Sequence, residues 1–231
     1  TLCYLKDINE IGACRLCLVE IAEMRGPALG PWRMVTACVY PCTEGMEIKT
    51  NTPKITASRK MNLELLLSNH NQDCLSCVRS TNCELQTLCR EYGVTSSTFK
   101  GEVTESRIDD RSPIIRDNSK CILCRRCVAT CAKVQEIGVI GANNRGFDTY
   151  VGSTFGMDLA DTSCINCGQC IVACPVGALY ERDDTEEVFA AIADPTKHTV
   201  ICTAPSVRAQ IGECFGYEPG TDCEGKMVAA L

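Results

Sequence analysis

Two runs of cysteine share one spacing, C-x2-C-x2-C-x3-C: Cys121, Cys124, Cys127 and Cys131, then Cys164, Cys167, Cys170 and Cys174. Gaps this short bring three sulfurs of each run together on one small object, so the chain here must fold around that object. Zinc sites usually pair two C-x2-C knuckles and stop at four ligands. Two complete copies, with Pro175 behind the second, instead match the pattern in which three thiolates hold one 4Fe–4S cluster and the fourth reaches its neighbour. On that pattern one cluster takes Cys121, Cys124, Cys127 and Cys174, and the other takes Cys164, Cys167, Cys170 and Cys131. Ala132 stands where the first copy would carry proline.

Between the copies, VIGANNRGFDTYVG reads as a hairpin, with β-prone runs flanking Asn143, Asn144, Arg145 and Gly146. Residues 115–183 thus read as a bacterial two-cluster ferredoxin-like module with an enlarged insert.

The chain holds 20 cysteines in 231 residues. No basic, then apolar, leader opens it, and no apolar run approaches the ~18 residues of a membrane span. In such a setting thiols are metal ligands more often than disulfide partners. Aromatic residues are only 5%, which leaves little for a conventional aromatic core. The net charge of −6 and the lack of a basic stripe argue against nucleic acid or an anionic membrane as partner. A cytoplasmic metalloprotein is expected.

Two further cysteine groups precede the twin runs. His70, Cys74, Cys77 and Cys83 place one imidazole ahead of three thiolates. Zinc uses the same ligand types, so spacing leaves zinc and iron–sulfur both open. SRKMNLELLLSN, just upstream, reads as a helix capped by Ser58, with Leu63, Leu66 and Leu67 on its apolar face. Cys3, Cys14, Cys17 and Cys38 follow the plant-type 2Fe–2S order, but the first gap is ten residues instead of four. Cys14, Cys17, Cys38 and Cys42 form an alternative zinc knuckle. RLCLVEIAE and MVTACVY are strand-like and suit a small sheet beside these ligands.

Taken together, TLCYL, GACRLCLVEI, VTAC and GMEIKTNTP, then HNQDCLSCVRSTNCELQ, SKCILCRRCVATC and CINCGQCIVACPVGAL resemble one continuous architecture. It is similar to the N-terminal electron-transfer region of iron-only hydrogenases. The large iron–sulfur subunit of complex I, diaphorase subunits and some NAD-linked formate dehydrogenases share that region. The resemblance implies one 2Fe–2S cluster on Cys3, Cys14, Cys17 and Cys38, and a 4Fe–4S cluster on His70, Cys74, Cys77 and Cys83. Two ferredoxin-type 4Fe–4S clusters complete the set. Cys42 and Cys89 match no ligand and are expected to be small buried residues. Implied partners are a flavin- and NAD(P)-binding subunit and a small 2Fe–2S subunit, with soluble ferredoxin as a further candidate.

The expected fold class is α+β. It comprises a partial β-grasp domain (1–56), a helical domain with one His and three Cys ligands (57–114), the ferredoxin-like domain (115–183) and the start of an α/β catalytic domain (184–231). DDTEEVFAAIAD reads as a helix capped by Asp184, and HTVICTAPSVRAQIGE as a strand running into a helix that starts at Pro205. The latter resembles the opening of the iron-only hydrogenase catalytic domain. Both ends are expected to be truncations, because Cys3 is nearly terminal and the family's active-site cluster motifs are absent. The chain alone is not expected to make hydrogen. Neutral His70 in place of a thiolate should raise that cluster's potential. Lys120, Arg125 and Arg126 should lift the Cys121 cluster above the one beside Gly168 and Gln169.

Overall fold

The computed structural model describes residues 1–101 and 107–231, so residues 102–106 of the expected second domain lie outside the described residues. Packing divides the chain into Thr1–Arg182 and Asp183–Leu231.

In the first unit, β1 (Leu18–Ala22) lies between β4 (Arg33–Thr36) and β5 (Glu47–Lys49), antiparallel to both. A ribbon of β2 (Met24–Arg25) and β3 (Ala28–Leu29) links β1 to β4. As the central strand, β1 buries Val19, Ile21 and Ala22. Its one carboxylate, Glu20, is answered from the next element: Thr52 Oγ1 donates to it at 2.8 Å, and Lys54 Nζ lies at 3.4 Å.

That element is α1 (Pro53–Ser68). Thr52, not Ser58, caps it: the Thr52 hydroxyl accepts from the Ile55 N–H at 3.2 Å, and Pro53 fills the first helical position. Proline fits there because that N–H has no helical partner anyway. The helix therefore starts before Ser58 and runs across the expected boundary at residues 56 and 57. Leu63 and Leu67 are buried, and each fully buried aliphatic chain of this kind contributes about 1.5–3 kcal/mol over an exposed one. Arg59 on the same helix donates to Leu18 O at 2.6 Å and to Tyr92 Oη at 3.2 Å, tying α1 to the sheet and to the end of α2 (Glu84–Glu91).

Downstream, β6 (Ile108–Asp109) and β7 (Ile114–Asp117) pair, and β7 also pairs with β10 (Leu179–Glu181). The Cys121–Cys131 run leads into α3 (Arg126–Ala129), which continues as a π turn over Thr130–Val134. The expected hairpin is present as β8 (Gly141–Asn143) against β9 (Tyr150–Gly152). The second run carries α4 (Gln169–Ala173). The buried core joins aliphatic residues to cysteines, from Leu2, Cys3 and Cys14 through Leu63 and Leu85 to Cys124, Cys170 and Val176. Cysteine fills the place that aromatic residues take in other chains.

The second unit holds α5 (Thr185–Ala193), α6 (Pro205–Cys214) and α7 (Glu224–Ala230). Pro205 starts α6 as the sequence suggests, but residues 199–203 form no strand; Val200 and Ile201 are exposed. A β-run needs a neighbour for its backbone hydrogen bonds, and none of the described strands pairs with it. Asp184 is the N-cap residue of α5, as expected, but makes no side-chain cap bond; Asp183, one residue earlier, accepts the Thr185 N–H on its Oδ1 at 3.0 Å. Among the described residues no helix is long and apolar enough to cross a membrane.

Candidate metal centres

Cys3 and Cys14 are buried side by side, with the Cys14 N–H 3.5 Å from Cys3 Sγ. The Cys3 thiol, placed to donate, holds Cys14 below the ordinary thiol range, and Cys3 is itself pushed up. Cys17 Sγ lies 3.3 Å from Cys38 Sγ, and burial pushes the Cys38 thiol up to about 11. The Ala37 N–H donates to Cys17 O at 3.1 Å, so the end of β4 delivers Cys38 to the loop that precedes β1. Cys42 is exposed rather than buried. It sits in the irregular 41–46 segment, outside the core that encloses Cys3 and Cys14.

His70 follows Asn69, the C-cap of α1, and its position is fixed where the Asn71 N–H donates to Ser119 O at 2.9 Å. Its Nδ1 is buried and has no hydrogen-bond partner among the described residues. Burial holds the imidazole below its ordinary pKa, which favours the neutral form that binds metal. The Cys74 thiol is raised by burial and then by Cys83 and Cys77, so the three sulfurs feel one another. Cys83 is the N-cap residue of α2. Cys89 is buried on that helix, as expected, and burial pushes its thiol up to about 11.

One cavity is lined by Cys121, Cys124, Cys127 and Cys174, with Arg116 and Arg125 on its wall. A second is lined by Cys131, Cys164, Cys167 and Cys170. The fourth cysteine of each run thus stands among the first three of the other. Burial pushes Cys121 up to about 11, Cys124 to about 12 and Cys127 well above the ordinary thiol range. Cys170, at about 11, follows the same cause. Thiols packed this deeply need a cation to become thiolates, and iron supplies one. The donor set therefore fits iron–sulfur clusters. Among the described residues, no three His, Cys, Asp or Glu side chains converge as they would on a single ion. A 4Fe–4S cluster takes one protein ligand on each of its four irons, so such ligands stand farther apart than those of a single ion.

The two ligand loops share a backbone. Leu123 and Arg125 have φ of 54° and 60°, and their counterparts Asn166 and Gly168 have 53° and 72°. Alternating left-handed residues turn successive N–H groups toward one concavity, which suits an anion such as a sulfide-rich cluster.

The basic residues noticed in the sequence are largely answered by carboxylates. Arg126 is buried and makes two bonds to Glu84, at 2.6 and 3.0 Å, and one to Thr1 O at 3.1 Å. Lys120 Nζ lies 3.9 Å from Asp117. Arg116, which sequence reading missed, is buried on Asp109 at 3.0 Å. Further contacts join the ligand loops. The Glu84 N–H, next to Cys83, donates to Pro175 O at 3.0 Å, next to Cys174. Asn9 Nδ2 donates to Cys3 O and to Cys124 O. No local pattern marks these residues, since folding rather than a motif spacing brings their partners to them.

Three family models cover successive parts of the chain. Residues 1–53 match a 2Fe-2S iron-sulfur cluster binding domain, 59–98 the NADH-ubiquinone oxidoreductase-G iron-sulfur binding region, and 120–178 a 4Fe-4S dicluster domain. A crystal structure of an NAD+-reducing [NiFe]-hydrogenase in the H2-reduced state superposes with a TM-score of 0.70 at 30% identity, covering 79% of this chain and 74% of that one. The chain belongs to this family of iron–sulfur electron-transfer regions. The electron-transfer region is 45% identical to the NADP-reducing hydrogenase subunit HndD of Solidesulfovibrio fructosivorans and 37% identical to iron hydrogenase 1 of Clostridium pasteurianum. Both matches cover 100% of this chain, which spans 39% of each relative's length. The chain is thus an oxidoreductase component that relays electrons through 2Fe–2S and 4Fe–4S sites.

Proposed function

We propose that this chain is the electron-transfer part of an iron-only hydrogenase subunit, carrying one 2Fe–2S and three 4Fe–4S clusters on sixteen ligands. Cys3, Cys14, Cys17 and Cys38 take the first, and His70, Cys74, Cys77 and Cys83 the second. Cys121, Cys124, Cys127 and Cys174 take the third, and Cys164, Cys167, Cys170 and Cys131 the fourth. The domain limits proposed are 56, 114 and 183, with α1 (Pro53–Ser68) running across the first of them. The observation that carries the hydrogenase reading is coverage. The hydrogenase relatives match the whole chain, including residues 184–231, whereas the [NiFe] enzyme's chain matches 79% of it.

In this reading the clusters supply one-electron redox chemistry, and the chain supplies binding, insulation and alignment. The buried aliphatic shell excludes water, and the left-handed loops aim N–H groups at the sulfurs. The buried His70 imidazole is the neutral donor offered to iron, and the cross-linked ligand loops hold the sites in sequence. Electrons would pass to a flavin- and NAD(P)-binding subunit and a small 2Fe–2S subunit, or to soluble ferredoxin, in the cytoplasm.

The deciding experiment is anaerobic quantification of iron, sulfide and zinc, with low-temperature EPR after reduction. About fourteen irons per chain, with both cluster types in the spectra, is the expected result. Zinc with only about eight irons would overturn the ligand sets of the first two sites.

A further inference from the structure

The carboxamide of Asn9 is 3% exposed and sits between two ligand loops. Its Nδ2 donates to Cys3 O at 2.7 Å and to Cys124 O at 3.0 Å, which uses both of its donor hydrogens. A tight turn presents it: the Asn9 N–H donates to Leu5 O at 2.8 Å, and the Leu5 N–H to Asn9 O at 3.1 Å. Two further bonds pin the same N-terminal strap, from Lys133 Nζ to Ile8 O at 2.7 Å and from Arg126 to Thr1 O. Those two hold residues outside the ligand sets. Asn9 instead joins the backbone of one ligand to that of another. Without it, two buried carbonyls would lose this donor, and an undonated buried carbonyl destabilises the contact that holds it. A neutral amide also bridges them without placing a charge between two redox sites.

We infer that Asn9 is a positioning residue for electron transfer: it fixes the separation of Cys3 and Cys124, and so the electronic contact between the 2Fe–2S site and the Cys121–Cys124–Cys127–Cys174 site. One electron leaves the one cluster and enters the other, with no bond made or broken. Tunnelling rates fall exponentially with distance, so a side chain that clamps two ligand loops acts on the rate without touching iron. The inference rests on the ligand sets proposed above.

The test uses the full chain loaded with its clusters anaerobically, as wild type, Asn9→Ala, Asn9→Ser and Lys133→Met. One readout is the magnetic splitting between the two reduced clusters, taken only from molecules that carry both, so partial cluster loss does not obscure it. The other is the rate of transfer between them after flash reduction. Asn9→Ala should weaken the splitting and slow transfer roughly tenfold, the low end of the activity lost with an outer-shell partner at other metal sites. Asn9→Ser, with one donor left, should fall between, and Lys133→Met should behave as wild type. Wild-type splitting and rate in both Asn9 variants, or an equal loss in Lys133→Met, would overturn the inference. Cys3→Ser and Cys124→Ser must separately alter the 2Fe–2S and 4Fe–4S signals. If they leave those signals unchanged, the ligand sets fail and this inference goes with them.

Discussion

Gly177 lies against Cys77: a methyl group on its Cα would stand 2.5 Å from the Cys77 sulfur and 3.6 Å from Val78. The residue three places after Cys174 is therefore held to hydrogen by Cys77, a proposed ligand of a different site. Gly177→Ala should displace Cys77 and deplete the cluster beside His70 first, leaving the Cys164 site intact. EPR of the reduced variant checks this, and equal loss from all sites would count against it.

In the proposed ligand sets His70 offers a neutral donor where the other 4Fe–4S sites have only thiolates. His70→Cys adds one negative charge to that cluster and should lower its midpoint potential, because extra ligand charge favours the oxidised state. A redox titration followed by EPR gives the answer, and an upward shift would contradict the ligand role of His70.

Arg116 and Asp109 form an ion pair whose side chains are 4% and 0% exposed. Asp109 also accepts the Leu159 N–H at 2.9 Å. Asp109→Asn would leave a buried guanidinium without its counter-charge and should cost about 3–5 kcal/mol. Denaturant unfolding measures the loss. A double variant with apolar residues at both positions should recover much of it.

The buried thiols at Cys121, Cys124 and Cys170 are pushed up to about 11 to 12, so before iron arrives they are protonated at neutral pH. Cluster assembly must expel those protons, so it should be weaker at pH 6 and stronger as pH rises toward 9. The iron-free chain should behave oppositely. Its folded thiols hold protons that an unfolded chain gives up near its ordinary thiol pKa, so its stability falls as pH rises from about 9 through 11. Reconstitution yield and thermal unfolding of the iron-free chain, each across pH, separate the two trends.

That the Cys121 and Cys164 runs close on two shared cavities was legible because their spacing is local and repeats. The β8–β9 hairpin and the helix over Leu63 were legible for the same reason. Asn9, Arg116, Arg126 and Gly177 were not, since each matters through a partner brought near by folding. The cap at α1 was misplaced because Ser58 and Thr52 are both good caps, and Pro53 decides between them only once the strand before it is known. Residues 199–203 carry strand composition but no described neighbour, and β-propensity alone cannot supply one.

Matching left-handed residues in the two ligand loops separate shape from chemistry. Leu123 and Asn166 share one dihedral, as do Arg125 and Gly168, yet the four side chains differ in size, polarity and charge. Holding an ordinary residue there costs about 1–2 kcal/mol where glycine costs little. The chain nevertheless keeps a leucine and an arginine in the first loop. Two proposed iron sites built on one backbone plan can thus differ in redox character through the side chains at a few loop positions, while the cradle itself stays unchanged.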